Sequence, residues 1–127
     1  MKYNLAIISF LGFLAVLLGA FGAHALKETL TPAQLNSFET AVRYQFYHVF
    51  VLLILNLYSG FSIPQKKWLS LLFYVGIVLF SGSIYTIQLT AVTAKQIWFV
   101  TPLGGVFLIA GWLLLSCCFL QNNAKIK

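Results

Sequence analysis

Residues 3–26 carry no charged side chain, and a run of that length dictates the surroundings the chain can fold in. A helix rises 1.5 Å per residue, so about 20 apolar residues cross a hydrocarbon layer of roughly 30 Å. The pattern recurs three times, which predicts spans over 5–26, 41–60, 68–91 and 102–120. Of 127 residues, 61% are hydrophobic and only 8% are charged, a balance no water-soluble domain keeps. The expected fold is all-α: an integral-membrane four-helix bundle that fills 1–127 as a single transmembrane domain. Its joins are too short to house a separate soluble unit.

A formal net charge of +6 would suggest nucleic acid in a soluble protein. Here the lysines sit in joins and tails, where they set orientation and meet anionic head groups, so lipids rather than nucleic acid are the expected partners. Lys2, Lys66, Lys67, Lys125 and Lys127 fall on one side of the predicted topology, against Lys27, Arg43 and Lys95 on the other. The excess of positive charge predicts both termini in the cytoplasm. Lys2, an apolar run and Ala23-His24-Ala25 imitate a secretory signal, but the run exceeds the usual 7–15 residues and reads as a span. Cys117 and Cys118 are adjacent, a spacing that resists disulfide formation, and read as small hydrophobes.

Ala15, Gly19 and Ala23 recur every four residues in span 1, with Gly12 nearby. Gly76 and Gly82 in span 3 and Gly111 in span 4 offer further narrow faces. Lipid gives helices no hydrophobic reason to associate, so small residues that allow close backbone approach are expected at packing faces. The same faces would also serve a homo-oligomer or a membrane-protein partner. Thr31-Pro32-Ala33-Gln34 reads as a capping box with proline at the first helical position. It opens a short amphipathic interfacial helix over 32–40, between spans 1 and 2. Thr101 and Pro102 repeat the device before span 4.

On this topology the polar residues gather in the outer half. His24 closes span 1; Arg43, Tyr44, Gln45 and His48 occupy the outer half of span 2; Ser81, Ser83 and Tyr85 lie in that of span 3. Thr101, Gly104 and Gly105 open span 4. The cytoplasmic half offers only Asn56, Tyr58 and a few small hydroxyls. The outer group is either a hydrogen-bond network that ties helices together or a small polar cavity open to the outer leaflet. Two histidines with no cysteine or acid at ligand spacing make a poor metal site. No acid stands ready to orient a serine–histidine pair. Neither a catalytic residue, a metal nor a cofactor is expected.

Gly19-Ala20-Phe21-Gly22-Ala23-His24-Ala25-Leu26, Phe38-Glu39-Thr40-Ala41-Val42-Arg43-Tyr44-Gln45-Phe46-Tyr47-His48, Phe80-Ser81-Gly82-Ser83-Ile84-Tyr85, Thr101-Pro102-Leu103-Gly104-Gly105 and Gly111-Trp112 resemble, in that order, the family called domain of unknown function 423. That family is similar to eukaryotic transmembrane protein 256. One position departs, Phe46, where relatives often carry methionine. The resemblance implies a four-helix bacterial inner-membrane protein of unassigned biochemical activity. Two functions then lead. One is binding of a lipid head group or small anion, with charge from His24 and Arg43 and helix-terminal amides beside Gly104 and Gly105. The other is a structural or assembly factor for other membrane proteins. An oligomeric transporter or channel component is a third, although no acid lies mid-membrane to relay protons.

Overall fold

A computed structural model describes residues 2–125. Four long helices follow one another: α1 (Lys2–His24), α2 (Pro32–Leu57), α3 (Ile63–Leu89) and α4 (Val100–Lys125), with a one-turn 3₁₀ helix at Leu26–Glu28 after α1. Each is long and apolar enough to cross a membrane, and the chain is a multi-pass membrane protein. The helices alternate up and down. One end therefore carries the start of α1, the α2–α3 turn and the end of α4. The far end carries the α1–α2 and α3–α4 joins.

Local chemistry sets the helix starts. Gln34 N–H donates to Thr31 Oγ1 at 3.3 Å and Thr31 N–H donates to Gln34 Oε1 at 2.9 Å, the capping box expected before α2. Ser62 and Gln65 build the same box before α3, so α3 begins at Ile63, and Lys66 and Lys67 stand on its first two turns instead of in a loop. Residues 32–40 are helical, as expected, but they are the first turns of α2 and not a separate element. At 26 residues, α2 is about 39 Å long and overruns the hydrocarbon layer. Span 4 also starts earlier than the sequence suggested. Its helix begins at Val100, so Thr101 lies inside it and does not cap it.

Helix α2 packs against α1 and α3, and α3 packs against α4; α1 and α4 do not meet among the described residues. The result is a central α2–α3 pair with one helix on each flank. Leu52, Leu55, Leu69, Phe73 and Ile77 fill the seam of the central pair, joined by Ile8 from α1 and Leu108 from α4. Large side chains such as Phe13, Ile54, Val78 and Leu113 point outward, where acyl chains surround them.

The small residues do the work expected of them on two of three seams. Gly12 and Gly19 face Val49 and Val42 of α2, where an added Cβ would lie 3.4 Å away, and Ala15 is buried between them. Gly76 and Gly111 sit under Leu108 and Phe73 at the α3–α4 seam. Gly104 is the tightest point: a Cβ there would run into the Phe80 backbone and come within 2.8 Å of the Leu79 carbonyl carbon. Ala23 and Gly82 depart from the expectation. Ala23 is exposed and Gly82 has open space beside it, because both point away from the neighbouring helix.

This contrast is testable by denaturant unfolding in micelles. Gly104→Ala forces a backbone separation and should destabilise the protein by about 1–3 kcal/mol, the usual overpacking range. Gly82→Ala should change stability by less than about 0.5 kcal/mol, as substitutions away from contacts do.

Candidate functional site

Three helices meet at Gln45, which is 3% exposed. Its Nε2 donates to the Leu11 carbonyl of α1 at 2.8 Å, and its Oε1 accepts from the Tyr85 hydroxyl of α3 at 2.8 Å. Ser81, next to it on α3, donates to the Ala41 carbonyl of α2 at 2.7 Å. The Ser83 hydroxyl donates to its own helix at Phe80 O, 2.9 Å away. Thr101 of α4 is then the donor in its hydrogen bond with Ser83. Each of these side chains thereby has at least one partner on the protein, as polar groups inside a bilayer require. Links of this kind contribute about 0.6 kcal/mol each on average.

His48 ties α2 to α4. Its Nδ1 lies 2.6 Å from the Tyr44 carbonyl, and the Trp112 indole N–H donates to its Nε2 at 3.2 Å. A carbonyl only accepts and an indole N–H only donates, so the arrangement requires a neutral ring with its proton on Nδ1. Both nitrogens are thus engaged, and neither is open to a metal or a reacting proton without breaking a helix-to-helix contact. The ring also packs near Phe73, centroids 5.7 Å apart, and Tyr44 stacks on Phe80 at 4.8 Å.

Beside His48 a groove of about 470 Å³ opens between α2 and α4. Tyr44, Tyr47 and Trp112 form its mouth, Phe80 and Leu108 line it, and Gly105 leaves room at one wall. An added Cβ at Gly105 would touch only Phe80, at 3.9 Å.

The remaining expected site residues do not converge on this cluster. His24 is exposed at the end of α1. Arg43 is exposed and bonds along its own helix, to Thr40 Oγ1 at 2.9 Å and toward Glu39 at 3.9 Å. The early start of α4 also changes the chemistry of Gly104 and Gly105. Only the first four amides of a helix lack partners within it, and with Val100 first, Gly104 and Gly105 lie beyond them. Val100 and Leu103 themselves donate to Ile97 and Phe99 carbonyls at 3.0 Å. The helix terminus therefore has little to offer an anion.

The sequence credits the end that carries the chain termini with little beyond Asn56, Tyr58 and small hydroxyls, but a second polar cluster forms there. Asn4 of α1, Asn56 of α2 and both Ser70 and Tyr74 of α3 bond to one another there. Ser70 and Tyr74 are four residues apart on α3, as Ser81 and Tyr85 are. That spacing, together with Asn4 inside an apolar run, was the available signal.

Residues 18–105 match a family model described as protein of unknown function, DUF423. A UPF0382 membrane protein of Staphylococcus epidermidis is 42% identical over 108 residues, covering 85% of this chain and 87% of that protein. A UPF0382 membrane protein of Staphylococcus saprophyticus is 43% identical, covering 80% of this chain and 83% of its own. The inner membrane protein YgdD of Escherichia coli K12 is 35% identical over 122 residues, covering 90% of this chain and 86% of its own. No solved structure matches.

The Gln45–Tyr85 link makes a direct test of the network. A double-mutant cycle of Gln45→Leu and Tyr85→Phe, followed by unfolding in bicelles, should return a coupling of about 0.6 kcal/mol and no more than ~1.7 kcal/mol. Additive losses would mean the two side chains are not bonded in the bilayer.

Proposed function

The chain belongs to the DUF423 family of membrane proteins of unknown function, and on that footing we propose that it is a non-enzymatic, lipid-binding protein of the bacterial inner membrane. The lipid-facing groove between α2 and α4 is the observation that carries this reading. It is about 470 Å³ in volume, aromatic at its mouth and apolar along its wall, which suits an acyl chain. His24 and Arg43 lie exposed in the half of the molecule away from the termini, where they would supply charge to a head group. We assign that end to the outer leaflet and both termini to the cytoplasm, on the lysine distribution.

Two features weigh for lipid over an assembly factor. The small-residue faces of α1 and α4 are largely occupied within the chain, by Val42, Val49 and Phe73. The faces left outward carry large apolar side chains, which suit fluid acyl chains better than close helix association. The buried polar groups of the outer half act in this reading as the clamp that holds the groove open.

Native mass spectrometry of the chain released from bilayers counts the phospholipids that stay bound. Gly105→Leu, whose Cβ would meet only Phe80 at 3.9 Å, should project into the groove and weaken retention of one phospholipid per chain about tenfold, equivalent to 1.4 kcal/mol. Equal retention by wild type and variant would overturn the proposal and return the outer half to an assembly role.

A further inference from the structure

The cluster at the end bearing the termini has a polarity of its own. The Tyr74 hydroxyl donates to Asn4 Oδ1 at 2.6 Å, Asn4 Nδ2 to Asn56 Oδ1 at 2.6 Å, and Asn56 Nδ2 to Ser70 Oγ at 3.2 Å and Leu52 O at 2.8 Å. Asn56 and Ser70 are 5% and 4% exposed. This chain of bonds engages the amide oxygens and leaves protons over. Asn4 keeps its second amide hydrogen. Ser70 accepts from Asn56, but its hydroxyl finds no protein acceptor among the described residues. Ser9, Ser37 and Ser116, by contrast, each bond back to their own helix.

These groups line a cleft of about 520 Å³, together with Lys66 and Lys67. Lys66 Nζ is held 2.9 Å from the Asn56 carbonyl at the end of α2, which fixes its charge at the cleft wall. No carboxylate side chain balances it. The two acids of the chain, Glu28 and Glu39, lie at the opposite end. The cleft thus presents cations and unengaged donors, which is the complement of an anion. Its floor continues into Leu71 and Ile63, 46% and 85% exposed, an apolar flank facing the bilayer.

We propose that this cleft binds the phosphate of an anionic phospholipid from the leaflet on the side of the termini. Lys66 and Lys67 supply charge, the Ser70 hydroxyl and Asn4 amide donate hydrogen bonds, and an acyl chain follows Leu71. The site lies at the opposite end from the α2–α4 groove and stands whether or not that groove holds lipid. General attraction of lysines to an anionic surface would need no buried serine or asparagine. A built site does.

The test uses the full chain in micelles titrated with phosphatidylglycerol or phosphatidylcholine, bound lipid being counted by native mass spectrometry. Wild type should prefer phosphatidylglycerol at least about tenfold. Joint Lys66→Gln and Lys67→Gln should abolish that preference, and uncharged Ser70→Ala should lower it about threefold, half a decade in affinity. Lys95→Gln, at the far end, should leave it intact. Should Ser70→Ala fail to fold, Asn4→Ala and Lys67→Gln, the latter exposed, carry the same expectation. A preference unmoved by Ser70→Ala or Asn4→Ala would overturn the site in favour of diffuse electrostatics. Displacement of the lipid by equimolar inorganic phosphate would overturn the lipid in favour of a free anion.

Discussion

Inside a hydrocarbon layer a polar side chain has no water to turn to, and leaving it without a partner on the protein is costly. Gln45, His48, Ser81, Ser83 and Tyr85 meet that demand by bonding across helices, to carbonyls and side chains of α1, α2 and α4. Their directions are what turn four apolar rods into one arrangement. Apolar side chains facing lipid or one another do not discriminate strongly between registers, because lipid tails are as apolar as leucine. A misregistered α3 would leave Ser81 and Tyr85 without acceptors.

Close approach supplies the second half of the account. Gly104 brings α4 against the Phe80 backbone, and that contact sets Thr101 beside Ser83 and Trp112 beside His48. The flanking helices gain their places differently. Helix α1 uses a stripe of small residues against valines of α2, whereas the α3–α4 seam sets Gly76 of α3 under Leu108 of α4 and Gly111 of α4 under Phe73 of α3. Since α1 and α4 stay apart among the described residues, grooves remain beside the central pair at both ends. The α2–α4 groove lies in the far half and the Asn4–Asn56–Ser70 cleft at the end of the termini.

Much of the fold was legible in the sequence, and for a physical reason: bilayer thickness converts uncharged runs directly into helices. The capping box at Thr31 was equally plain, since serine, threonine and glutamine at that spacing leave little choice of structure. Helix starts were harder. Ser62 and Gln65 form an identical box that hydropathy alone overlooks, and α4 begins before its proline. The outer polar residues were found, but their fates diverge by helix face. Gln45 and His48 point inward, while Arg43, only a few residues away, points outward and bonds along its own helix. The Asn4 cluster stayed hidden because its members are separated by up to 70 residues and only packing brings them together.

Nitrogen NMR of His48 in bilayers reads the central claim most directly, since that ring joins α2 to α4 through both of its nitrogens. The account predicts a neutral ring with its proton on Nδ1, Nε2 bare and close in space to the Trp112 indole proton. A proton on Nε2, an imidazolium at neutral pH, or no contact with Trp112 would contradict it.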